Sequence, residues 1–280
     1  MLAFCIMYVS VLQSVRVKLT TPLDATFMTA ANSVPSIFSY RSVDLAYLPR
    51  PDPTSKFFSV SPEQAVINNA YAKVPVINGD QEDEGTLFSL TQSNISTTAQ
   101  LITYLQSYFP NEGASLVPGL VATYPNDPAA GSPFGTGDLN ELYPQFKRLA
   151  AILGDITFTL ARRGYLARVA TTVKAWSYLD SHLYGTPQLG TFHSSDVQEV
   201  YDDAPSPITA TTYQTYYTSF INFLNPNTIS TTTPLINWPQ YNPSNPQLLH
   251  MNATFNSLLA DNFRQASYNY LASHVGQMRV

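Results

Sequence analysis

Several things are scarce in this 280-residue chain. It has one cysteine, Cys5, so it can form no internal disulfide and no cysteine-based metal site. It has 14 basic and 19 acidic residues and a net charge of −5, which excludes the basic face that nucleic acid requires. It has no apolar run long enough to span a bilayer as a helix. It also has no Gly-x-Ser-x-Gly, the sharp strand-to-helix turn on which a catalytic serine is commonly presented. Apolar residues are plentiful at 44%, with 18 Tyr and 15 Phe, so the chain is globular and long enough to bury a substantial core.

The few charges are unevenly spread. Four acids fall within Gly79-Asp80-Gln81-Glu82-Asp83-Glu84-Gly85-Thr86-Leu87-Phe88, just after the apolar run Val74-Pro75-Val76-Ile77. That order reads as a turn at the C-terminal end of a strand. Like charges crowded there repel unless a partner is supplied. A partner of the right chemistry stands 109 residues beyond Glu84, in Leu189-Gly190-Thr191-Phe192-His193-Ser194-Ser195-Asp196. A carboxylate and a histidine on two glycine-bearing loops are two members of a nucleophile–base–acid relay. The residues by themselves leave Asp80, Glu82, Asp83 and Glu84 equally eligible as the acid. A calcium loop starting at Asp80 would have its glycine at Gly85 but Thr91 where a bidentate glutamate is needed. A glycosidase would need two facing carboxylates, which one turn does not provide. No metal or cofactor site is read from the chain.

The wider pattern is α/β. Ser61-Pro62-Glu63 opens a short helix, and Ser96-Thr97 caps one bearing Leu101, Tyr104, Leu105 and Tyr108, closed by Pro110. Residues 111–137 hold five Gly and four Pro and are expected to be mostly loop. Leu139, Leu142, Phe146, Leu149 and Leu153 form a helical stripe, with a break and a new cap at Gly154-Asp155 before a helix ending near Val169. Val173–Leu179 alternates as a strand, Tyr213 to Leu224 is helical, Leu248–Met251 is expected to be the last strand, and Asp261 to cap a final helix. Asn94-Ile-Ser and Asn252-Ala-Thr are glycosylation sequons.

The acid and histidine strings resemble the corresponding loops of the fungal extracellular lipases, which belong to the type-B carboxylesterase family related to cholinesterases. Tyr47-Leu48-Pro49-Arg50-Pro51-Asp52, Gly131-Ser132-Pro133-Phe134, Pro144-Gln145-Phe146-Lys147-Arg148, Thr159-Leu160-Ala161-Arg162-Arg163 and Trp238-Pro239-x-Tyr241 match in the same order. The resemblance runs from about Asp24 to the C-terminus and corresponds to the second half of a family member. It implies a partial α/β-hydrolase fold, the C-terminal half of the central sheet with its helices. It implies Glu84 as the acid and His193 as the base of an ester hydrolase, with Phe158 and Phe192 lining the acyl pocket, and it implies secretion. Residues 21–280 are then the C-terminal part of a type-B carboxylesterase domain. Residues 1–20, whose Met1–Leu12 stretch is apolar but has no basic residue ahead of it, are an extension outside the family or a mis-assigned start. Such a chain is expected to be inactive alone, its partner being an ester or lipid substrate of the full-length parent. The competing expectation is a non-catalytic hydrolase-fold binding module.

Overall fold

The structure is a computed structural model that describes residues 35–44, 51–109, 112–201, 207–231 and 235–278. The expected N-terminal extension, Cys5 and Pro110 lie outside the described residues. The chain divides into two units, Met1–Leu48 and Pro49–Val280. In the first, residues 35–44 form turns in which Ser36 and Ser39 exchange hydrogen bonds and Arg41 pairs with Asp44 at 2.9 Å.

The second unit is built on a two-stranded and a four-stranded sheet, both mainly parallel. In chain order its first elements are α1 (Pro62–Ile67), β1 (Val76–Ile77), β2 (Asp80–Gln81), α2 (Thr98–Gln106), α3 (Glu112–Ala122) and α4 (Phe146–Gly154). A π-helical turn, Asp155–Thr159, leads into α5 (Leu160–Val169). Then come β3 (Ala175–Trp176), β4 (Tyr178–Asp180), α6 (Asp196–Tyr201), α7 (Pro207–Phe223), β5 (Gln247–Met251), β6 (Asn256–Ala260) and α8 (Gln265–Ser273). β1 pairs with β3, and β2 with β4, both parallel. β4 pairs with β5 in parallel and β5 with β6 antiparallel. The β1–β2 segment stays in register with β3–β4 because Asn78 N donates to Trp176 O and Glu82 N to Asp180 O.

Alternation along these strands divides the core. Trp176, Tyr178, Leu249 and Met251 pack with Tyr213 and Tyr216 of α7 and with Trp238 on one face. Ala175, Leu179 and Leu248 pack with Leu166 and Val169 of α5 and with Tyr241 on the other. Burying each of these large side chains stabilises the fold by roughly 1.5–3 kcal/mol. Both faces are covered by helices, as a parallel sheet requires.

Several local expectations are corrected. Val74 is 54% exposed and precedes the strand, which starts after Pro75. Residues 112–122 are helical despite Gly113, Pro118 and Gly119, because tight packing uses the glycines: a Cβ on Gly113 would lie 2.6 Å from Gln277 O, and one on Gly119 would strike Tyr270. The stripe begins at Phe146, with Leu139 and Leu142 exposed, because Gln145 takes a left-handed conformation (φ 74°) before the helix. Gly154-Asp155 does not break the helix; the chain passes through the π turn instead. Leu248–Met251 is followed by the antiparallel β6. Asp261 does not cap α8. It is buried and receives Arg162 Nη1–H at 2.9 Å and Arg163 Nε–H at 2.9 Å, while α8 starts after Arg264.

Candidate active site

The acid turn sits at the C-terminal end of β2, and its carboxylates are mostly buried. Each therefore needs its own compensation. Asp80 takes Arg162 Nε–H at 2.6 Å, inside a cluster in which Arg162 also reaches Asp261 and Ser177. Burial, reinforced by Glu84 and Asp261, raises the Asp80 carboxyl against the pull of Arg162. For Arg162 burial pulls the other way, but Asp80 and Asp261 outweigh it and hold the guanidinium above its ordinary value. Asp83 accepts from Ser132 Oγ at 2.7 Å, Phe134 N at 2.8 Å and Thr191 N at 3.0 Å. Burial raises its carboxyl in spite of these donors.

Glu84 is the acid that meets the histidine. Its Oε2 lies 2.6 Å from Nδ1 of His193, and its Oε1 accepts Gln81 N–H at 2.9 Å. The side chains are 8% and 18% exposed respectively, so the bond is shielded while the imidazole still reaches the surface. One carboxylate oxygen is thus fixed by the backbone and the other is aimed at the ring.

Asp83 holds the two loops together. Besides receiving Thr191 N–H on its side chain, it donates its own N–H to Thr191 O at 2.9 Å, and its backbone bridges that of Phe192. Thr86 Oγ1 adds a bond to Leu189 O at 2.8 Å. Gly190 (φ 59°) is required here, since a Cβ would collide with the Asp83 carboxylate. Gly85 is required for a different reason: a Cβ would run into Ala150 O and Gly154 N of α4.

The rings against His193 are Phe88 at 5.2 Å and Phe158 at 4.8 Å, themselves 5.6 Å apart. Phe158 is placed by the π turn, a feature frequent at functional sites. Of the two pocket residues expected, Phe158 therefore meets the histidine, while Phe192 contributes its backbone bridge to Asp83. Phe88 went unread, although its place four residues after Glu84 was a usable signal. Asn94 is exposed in the turn before α2. Asn252 follows β5, and its Oδ1 accepts from Thr254 N at 3.1 Å and Thr254 Oγ1 at 3.0 Å. Among the described residues there is no group of three or more metal-ligating side chains and no helix long and apolar enough to cross a membrane.

No protein-family model matches the chain. It is 51% identical over 255 residues to Secreted lipase 1 of Botryotinia fuckeliana, covering 90% of this chain and 44% of that protein. It is 45% identical over 258 residues to Secreted triacylglycerol lipase LIP1 of Gibberella zeae, 91% of this chain and 43% of that one. Against Lipase 4 of Diutina rugosa it is 39% identical over 245 residues, or 86% and 43% of the two chains. The chain thus spans less than half the length of these relatives. Among solved structures, EstA of Aspergillus niger superposes with a TM-score of 0.59 at 20% identity, covering 77% of this chain and 43% of EstA. A PNB esterase superposes with a TM-score of 0.62 at 18% identity, covering 90% of this chain and 48% of that one. These superpositions establish a partial α/β-hydrolase fold.

Proposed function

The chain is a homologue, over nine-tenths of its length, of the secreted fungal lipases of the type-B carboxylesterase family, and from that premise we propose that it carries the acid–base arm of a serine ester hydrolase. The observation that carries this reading is the 2.6 Å contact between Glu84 Oε2 and His193 Nδ1. A carboxylate on Nδ1 keeps the proton there and leaves Nε2 as the base. His193 Nε2 then takes the proton of an attacking serine hydroxyl and returns it to the departing alcohol. Glu84 holds the ring in that tautomer and steadies the imidazolium, and Phe88 and Phe158 fix the ring plane and keep water from its face.

No Gly-x-Ser-x-Gly occurs in these 280 residues, and in this reading the arm works with a serine and oxyanion donors supplied by a further segment. The substrate class is carboxylic esters with lipid-like acyl groups, which Phe158 and Phe88 would face. Secretion follows the relatives' names, and Asn94 and Asn252 are the proposed glycan sites. The alternative of a non-catalytic binding module gives no reason for a shielded carboxylate–histidine bond.

The test is hydrolysis of short-chain aryl esters by the purified chain beside its His193→Ala variant. The expected result is no turnover above the variant, because nucleophile and oxyanion donors supply most of the acceleration in such sites. Turnover that disappears in His193→Ala would show that the nucleophile lies within this chain.

A further inference from the structure

The loop that carries His193 is strung between the end of β4 and the start of α6. Both anchors meet at a second histidine. His182 lies two residues past Asp180, the last residue of β4, and its Nδ1 is 2.8 Å from Asp180 Oδ2. Its Nε2 is 3.4 Å from Glu199 Oε1, in α6. The three side chains are at most 1% exposed. Asp180 is held further: Oδ1 accepts His182 N–H at 2.9 Å and Oδ2 accepts the Tyr213 hydroxyl at 2.9 Å.

Two buried carboxylates therefore face one imidazole from its two nitrogens. A neutral imidazole has one N–H and one lone pair. It would present the lone pair to one of these carboxylates where no water can intervene, which is costly for a buried charge. The imidazolium donates Nδ1–H to Asp180 at 2.8 Å and places its positive charge at ion-pair distance, 3.4 Å, from Glu199 Oε1.

We propose that His182 is a positioning residue that ties Asp180 to Glu199 and so fixes both ends of the loop bearing His193. This rests on the reading of Glu84 and His193 as the acid–base arm. The groups facing His182 are Asp180 from β4, and Glu199 and Asp196 from α6, with Tyr213 of α7 reaching Asp180. Burial alone would lower the imidazole, but Asp180 first, then Glu199 and Asp196, raise it above its ordinary value of 6.5. A group raised in the folded state stabilises it fully below the unfolded value and stops doing so as pH rises through the folded one. The brace thus weakens on the alkaline side, where His182 withdraws a donor from one carboxylate.

The experiment is ring ¹H–¹⁵N NMR of the histidines in the full 280-residue chain, followed from about pH 5 to about pH 9, with His193→Ala to assign the signals. Wild type is compared with His182→Gln and with the isosteric Glu199→Gln, which keeps the test open where His182→Gln does not fold. Expected are two protonated nitrogens on His182 at neutral pH and loss of one at lower pH in Glu199→Gln. Also expected is a shifted or broadened low-field Nδ1–H of His193 in both variants, although neither replaced side chain touches His193. A bare ring nitrogen on His182 at about pH 6, or a His193 signal unchanged in both variants, overturns the proposal. A wild-type His193 without a low-field Nδ1–H overturns the Glu84–His193 pairing itself, which separates the two failures.

Discussion

Glu82→Gln is expected to stabilise the chain at alkaline pH and to leave it unchanged near pH 4.5. Glu82 continues β2 through its N–H bond to Asp180 O at 2.8 Å, and its side chain is partly buried beside other acids. Burial first, and then the Asp83 carboxylate, push its carboxyl from 4.5 up to about 7, against the Ser181 hydroxyl and Arg264. The folded state therefore binds a proton that the unfolded chain releases between those two values. Stability contributed by this group is present below about pH 4.5 and is lost as pH rises to about 7, the opposite of a salt-bridged carboxylate. At about 1.4 kcal/mol per tenfold change, and allowing for screening at a partly exposed group, the loss is about 2–3 kcal/mol. Glutamine has the same shape and no charge to desolvate, so the variant escapes that loss. Denaturant unfolding of both proteins at about pH 4.5, 6 and 8, followed by the fluorescence of the buried Trp176 and Trp238, measures the difference. The titration of Asp80 is common to both proteins and cancels. A difference that is the same at all three pH values, or a variant less stable at pH 8, would refute the assignment of a raised Glu82.

Two further substitutions probe the scaffold around the site. Gly85→Ala drives a Cβ into the backbone of α4 at Ala150 and Gly154, where no rotamer gives relief. It should cost about 1–3 kcal/mol or more in denaturant unfolding, and it should weaken the low-field Nδ1–H of His193 by moving Glu84. Asp261→Ala strips the buried guanidiniums of Arg162 and Arg163 of a shared carboxylate, and the Tyr241 hydroxyl of its acceptor. A loss of about 3–5 kcal/mol is expected, seen as a lower unfolding midpoint or failure to fold, and a variant of wild-type stability would contradict it.

The parts of this molecule that were legible in the sequence are those whose determinants are local. The α2 start is one: Thr97 and Gln100 form a capping box within four residues, and the apolar residues Leu101, Tyr104 and Leu105 that follow are buried. The acid and histidine loops were legible as strings. The choice of Glu84 among four acids came from the resemblance and not from the residues alone, because it depends on which carboxylate the fold aims at a residue 109 positions away. Helix α3 was hidden because Gly113, Pro118 and Gly119 lower its propensity, whereas its packing against the C-terminal region is a tertiary gain. Asp261 looked like a helix cap because aspartate favours caps, yet its partners Arg162 and Arg163 lie 99 and 98 residues earlier. His182 offered no local signal beyond Asp180, since Glu199 reaches it only through the turn of the His193 loop.

The most direct test of the acid–base arm is a chimera in which residues 21–280 replace the matching segment of the Botryotinia fuckeliana secreted lipase, which is 51% identical over 255 residues. Hydrolysis of a triacylglycerol emulsion is then measured for the chimera and for its His193→Ala and Glu84→Ala variants. The account predicts hydrolysis by the chimera and a fall of about three or more orders of magnitude when His193 is lost, with a clear fall also for Glu84. A folded chimera that hydrolyses equally well without His193, or not at all with both residues in place, would contradict it.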